Sequence, residues 1–215
     1  MPVNQTVHLT LQQGGQPVIL TTSTQDTMTR RFQNLRVEEY NDLDIEDLGF
    51  FMLKWFKHKG LGNPFNYNRF MEFIQARLLG YKLTEVGGGS DGINELNETT
   101  EFKATKYLGT TKAGVDKSLS FAYNGTTRKP TLEEQEVYCK EKVMRDPLHH
   151  WTVIDYEEGK CLYTIQLTNE QVWEILWPKW EQSWYNSKAA DPRIGASIST
   201  SELNKAGIKY NTIQH

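Results

Sequence analysis

Between Asp42 and Thr105 the spacing of apolar residues changes from a helical to a strand period, which excludes an all-helical or an all-strand chain. In DLDIEDLGFFMLKWFKHKG, Leu48, Phe51, Met52, Trp55 and Phe56 recur at helical spacing. Acids open the segment, and Lys54, Lys57, His58 and Lys59 crowd its end, as the helix dipole favours. Phe70, Phe73, Ile74 and Leu78 form the stripe of a second helix closed by Gly80, leaving Glu72 and Gln75 off the stripe. YKLTEV and TTEFKAT then read as strands. In the second, Thr100, Phe102 and Ala104 face one way, and Glu101, Lys103 and Thr105 the other.

The rest of the chain alternates between the two periods. TLEEQEVYCKEKVM reads as a helix opened by a capping box of Thr131 and Glu134. HWTVIDYEEGKCLYTIQL reads as a hairpin turning near Glu158 and Gly159. TNEQVWEILWPKW carries a second box, Thr168 and Gln171, with Pro178 ending or kinking the helix. STSELNKAG carries a third, Ser199 and Glu202, with Gly207 as its stop. This order predicts an α/β (α+β) fold: a mixed central β-sheet flanked by helices, one domain over residues 1–215. The polar first forty residues read as an N-terminal arm or short hairpin over 1–40.

Composition narrows the class. Hydrophobic residues make up 38% and charged residues 24%, as in soluble globular domains. No apolar run of membrane-spanning length and no basic-then-apolar leader is visible, so we expect no membrane partner and a cytoplasmic location. Cys139 and Cys161 are the only cysteines; they read as reduced thiols with no metal-ligand spacing to any His. His149 and His150, adjacent on an extended chain, point opposite ways and read as structural. A net charge of −3 and a pI near 6.0 argue against a simple basic nucleic-acid coat. They are compatible with an acidic metal site served by local basic patches.

The stretch GGGSDGINELNETTEFKAT holds the chemistry. A hairpin from Asp91 brings its carboxylate toward Glu101 and Lys103. Two converging carboxylates make a hard oxygen site suited to Mg²⁺ rather than zinc. An ammonium beside them can neutralise charge that builds on a phosphorane-like transition state. Glu95 and Glu98 read as turn residues, with Glu95 the spare ligand. An E-x-K on a strand also has a plainer reading, a solvated ladder of opposite charges.

SDG followed by EFK resembles the PD-(D/E)xK nuclease superfamily in its restriction-endonuclease-like form. Asp91 matches the first acid, with Ser90 where the pattern often has proline. Glu101 and Lys103 match the second acid and the lysine. Glu72, on the helix in front, stands where many members carry a Glu that contacts the metal or its waters; the alternative is an exposed helix-face residue. The resemblance covers roughly residues 65 to 180 in element order. It implies catalytic residues Asp91, Glu101, Lys103 and Glu72, and Mg²⁺, replaceable by Mn²⁺, on Asp91, Glu101 and Glu72. It implies a homodimeric endodeoxyribonuclease cutting double-stranded DNA, of the sequence-specific type II restriction kind. The alternatives are a repair or recombination nuclease of the same fold and a non-catalytic DNA-binding or scaffolding protein.

DNA contacts are expected from a loop over 106–130. It carries Lys106, Lys112, Lys117, Arg128 and Lys129 against a single acid, Asp116. An ordinary charged surface loop is the competing reading. Arg30, Arg31 and Arg36 form a weaker basic cluster. Trp173, Trp177, Trp180 and Trp184 recur at helical spacing and read as core packing, with a dimer interface as the alternative.

Overall fold

The structure, a computed structural model, describes residues 42–85, 89–187 and 193–215. The expected arm over 1–40 and the Arg30, Arg31 and Arg36 cluster lie outside them. The chain divides into two compact units, residues 1–52 and 53–215. Of the first, the described part is the opening of helix α1 (Asp42–His58).

In the second unit the elements follow as α2 (Tyr67–Leu79), β1 (Lys82–Leu83), β2 (Gly92–Ile93), β3 (Thr99–Lys106), β4 (Ser120–Thr127), α3 (Leu132–Met144), β5 (Leu148–Asp155), β6 (Lys160–Thr168), α4 (Asn169–Asn186), β7 (Arg193–Ser199), α5 (Thr200–Lys205) and β8 (Asn211–Gln214). Six strands form one mixed sheet in the order β1-β2-β3-β5-β6-β8, in which only β3 and β5 run parallel. The mixed sheet among helices matches the expected α+β class.

β5 (LHHWTVID) is buried almost throughout, as a central strand covered on both faces must be. Across β3 and β5, Glu101 pairs with His149 and Lys103 with Trp151. Those four side chains therefore share one face, while Phe102 and His150 share the other. His149 and His150 do point apart, each with hydrogen-bond partners of its own. On the first face, Phe121 of β4 stacks on Trp151 at 4.6 Å between ring centroids. Phe121, Trp151, Leu167, Leu176, Ile194 and Ile198 are all fully buried there.

Four local expectations change. First, β4 runs through the segment expected to be a DNA-contacting loop. It pairs antiparallel with β7, and Phe121 and Tyr123 are core residues. Second, YKLTEV yields only the short strand β1. Third, α2 buries Met71, Gln75 and Ala76, while Leu78 is 44% exposed. The helix is two-faced: Phe73 packs edge-on against Trp55 and Phe56 of α1 at 5.4 and 5.2 Å, so its apolar residues do not mark one inward stripe. Fourth, Pro178 lies inside α4 without ending it. Pro178 and Glu174, whose carbonyl loses its helical donor, both face solvent, and water can take the donor's place. The boxes at Thr168/Gln171 and Ser199/Glu202 form with both reciprocal bonds. The Thr131 hydroxyl accepts from the Glu134 amide at 3.2 Å.

Candidate active site

The pairing of β2 ends early, and that places Asp91. Gly92 and Ile93 pair with Thr100 and Thr99, so the Phe102 amide lies beyond the ladder. The Asp91 carboxylate accepts from it: Phe102 N to Asp91 Oδ2 is 2.8 Å. The Asp91 amide donates to Thr100 O at 3.0 Å. Asp91 is thus fastened to β3 at the residue between Glu101 and Lys103. Gly92 is required by contact rather than by backbone freedom. A Cβ there would sit 2.7 Å from Phe102 Cε2 and 3.2 Å from Thr100 Cγ2.

The Lys103 ammonium donates to Glu101 Oε1 and, at 3.1 Å, to Phe102 O. It also lies 5.2 Å from the centroid of the Tyr123 ring. Beneath it runs a buried chain of hydrogen bonds. Trp151 Nε1 donates to Tyr123 Oη at 2.8 Å, so the Tyr123 hydroxyl donates onward to His149 Nδ1 at 3.0 Å. His149 Nε2 then donates to Val143 O at 3.1 Å. Burial holds the His149 pKa below its ordinary value, consistent with this neutral tautomer.

Glu72 lies beside the group. Arg69 Nη1 donates to Glu72 Oε2 at 2.9 Å, and its Nε donates to Leu61 O at 2.7 Å. Glu72, Gln75, Glu101, Lys103, Tyr123 and Lys142 are among the residues lining a cavity of about 290 Å³. Arg145 approaches from the end of α3: Nη2 is 3.7 Å from Glu101 Oε2, and Nε is 3.3 Å from Oδ2 of the fully buried Asp146.

The electrostatics follow from these neighbours. Burial, then the charges of Glu101 and Glu72, push the Asp91 carboxyl up to about 7, against the pull of Lys103. Burial also works against ionised Glu101, but Lys103, by charge and hydrogen bond, and Arg145 outweigh it and hold its pKa below the usual value. Burial disfavours the Lys103 ammonium, yet Glu101 and Asp91 raise its pKa. Glu101 and Lys103 are therefore an ion pair at neutral pH, and Asp91 is the group that takes up a proton as pH falls through about 7.

Asp91 is held on the Phe102 amide beside the Glu101–Lys103 pair, and Glu72 lines the same cavity as Glu101 and Lys103. Glu95 is exposed in the turn between β2 and β3, away from them. The five basic residues expected to contact DNA fall into separate places. Lys106, Lys112 and Lys117 are exposed at and beyond the end of β3. Arg128 lies 4.2 Å from the Trp184 ring centroid and Lys129 4.1 Å from that of Tyr138. Trp180 is buried, and Trp173 stacks on Trp177 at 5.2 Å, packed against the core.

Arg145 and Asp146 gave no signal of their own in the sequence, whereas His149 reads there as structural and Gln75 as lying off the helix stripe. An arginine directly before a buried aspartate, seven residues after Tyr138 on a helix leading into the central strand, was the nearest available hint.

Among the described residues, no three His, Cys, Asp or Glu side chains converge closely enough to hold a metal ion. Two carboxylates still meet the preference of Mg²⁺, which keeps several waters and takes one or two carboxylates plus substrate phosphate. No helix among the described residues is long and apolar enough to cross a membrane. No protein-family model matches the chain, and no curated protein matches it in sequence.

Proposed function

We propose that the protein is a Mg²⁺-dependent endodeoxyribonuclease of the restriction-endonuclease-like fold, acting on double-stranded DNA as a homodimer, one site per strand. The observation that carries this reading is the fastening of Asp91 to the Phe102 amide, between Glu101 and Lys103. A solvated charge ladder does not require a second acid held against its own repulsion at the same strand position. Asp91 and Glu101 would hold Mg²⁺, or Mn²⁺ in its place, with Glu72 toward its waters. When bound, the ion supplies Lewis-acid polarisation of the phosphate and a lowered pKa for a bound water.

The chain's own groups supply the rest. Lys103 faces charge developing on the phosphoryl oxygens, and its ion pair with Glu101 keeps it protonated and fixed. The water oxygen bonds to phosphorus and gives up a proton to solvent, the P–O bond to the leaving sugar breaks, and the alkoxide takes up a proton from solvent. Tyr123 and His149 hold the floor of the site rigid beneath Lys103. Lys106, Lys112 and Lys117, exposed on the segment after β3, are the candidate phosphate contacts.

Digestion of a defined plasmid with Mg²⁺, followed by sequencing of the ends, tests the reading. One fixed cut sequence supports a restriction enzyme, and structure-dependent cuts support a repair or recombination nuclease. No cutting in Mg²⁺ or Mn²⁺, with retention in a gel shift, would leave a DNA-binding protein.

A pH dependence follows from Asp91. A cation must displace the proton that Asp91 holds below about pH 7. At subsaturating Mg²⁺ the cleavage rate therefore rises about 10-fold per unit up to that point and then levels. A single-turnover profile that is flat through this range would contradict the placement of Asp91 among the ligands.

A further inference from the structure

Gln75 is buried to 1% exposure in the wall of the cavity that also holds Glu72, Glu101 and Lys103. Its Nε2 donates to Met71 O, one helical turn back, at 3.3 Å. Turning the amide over would set its oxygen against that carbonyl, so the nitrogen is fixed and the oxygen is free. Gln75 Oε1 has no hydrogen-bond partner. Donors line the same cavity, but none reaches this oxygen, and two of the three N–H groups of Lys103 are given to Glu101 and Phe102 O. A buried acceptor without a donor is costly, and a fold keeps one where a ligand completes it.

Resting on the nuclease reading above, we propose that Gln75 Oε1 orients the attacking water. The partner of this oxygen must be a donor small enough to enter a cavity of about 290 Å³ beside two carboxylates and an ammonium; a water molecule has that size and chemistry. An amide oxygen accepts a hydrogen bond but does not take the proton at neutral pH. Gln75 therefore fixes one O–H of the water and turns a lone pair of its oxygen toward the phosphorus. The second proton passes to solvent as the O–P bond forms. Gln75 is then a catalytic residue in the strict sense, touching a reacting atom.

The test compares wild type, Gln75→Met, which keeps length and burial without the acceptor, and Gln75→Glu, which keeps an acceptor oxygen. Single-turnover cleavage in Mg²⁺, DNA binding in Ca²⁺ and melting temperature are read for all three. Gln75→Met is expected to cut about 10- to 100-fold more slowly, to bind DNA as wild type does, and to melt no lower. Gln75→Glu is expected to cut faster than Gln75→Met. A Gln75→Met protein that cuts at the wild-type rate overturns the assignment, as does a Gln75→Glu protein no faster than Gln75→Met. Wild-type protein that cuts no DNA in Mg²⁺ or Mn²⁺ overturns the nuclease reading and this assignment with it.

Discussion

Asp91→Asn is expected to lower Mg²⁺-dependent cleavage by about 10³-fold or more while making the metal-free protein more stable above neutral pH. The two effects share one cause. The folded-state pKa of Asp91, pushed up to about 7, lies above its ordinary value, so the native state holds a proton that the unfolded chain releases. Stability from this group is full at acid pH and is lost as pH rises from the unfolded value to about 7. The loss is at most about 4 kcal/mol, three pKa units at about 1.4 each. Glu101 runs the other way, its depressed pKa contributing stability that is lost as pH falls through it. Asparagine keeps an oxygen for the Phe102 amide and removes the surplus charge. Thermal melts at pH above 7, without and with Mg²⁺, check the pair: the variant should melt higher than wild type, and only wild type should gain from the ion. A variant that melts lower and binds the ion unchanged would remove Asp91 from the ligand set.

Lys103→Ala is expected to slow single-turnover cleavage by about 10²-fold or more. Lys103 is not a surface lysine. Its side chain is 20% exposed and paired with a Glu101 side chain that is 17% exposed. Removing it leaves Glu101 with only the more distant Arg145 and Asp91 with no cation, so stability falls too. Lys103→Arg separates the roles: the guanidinium retains the pair with Glu101 and much of the stability, but cannot reproduce a compact ammonium at the phosphate. With rates measured well below the melting temperature, both variants should be slow while DNA binding in Ca²⁺ is kept. An arginine variant that cuts at the wild-type rate would reduce Lys103 to a structural ion pair.

What the sequence made legible was local. Strand alternation put Glu101 and Lys103 on one face, and a hairpin reading of the segment brought Asp91 toward them. The capping residues Thr168 and Ser199 marked the starts of α4 and α5 because each acts within four residues. Long-range convergence was not legible. β4 is rich in Ser, Gly and Thr and pairs with β7, some seventy residues on, so nothing near it announces a strand. Its Tyr123 reaches Lys103 and His149 only once both sheets are formed. The α2 stripe misled for a related reason. Phe73 is apolar because it meets Trp55 and Phe56, whereas the face toward the site carries Met71, Glu72 and Gln75. A polar inward face looks like an outward one until the cavity is seen. Arg145 and Asp146 follow no local pattern in the sequence, yet Asp146 is fully buried and Arg145 spans it and Glu101.

The central claim is that Asp91, Glu101 and Lys103 form a metal-dependent phosphodiesterase site. The most direct measurement is cleavage of supercoiled plasmid by wild type and Asp91→Asn, prepared identically, in Mg²⁺ and in excess chelator. The account predicts that wild type nicks and linearises the plasmid in Mg²⁺ alone, and that chelator and Asp91→Asn each stop it. Cleavage that persists in excess chelator, or that Asp91→Asn retains at the wild-type rate, would contradict it.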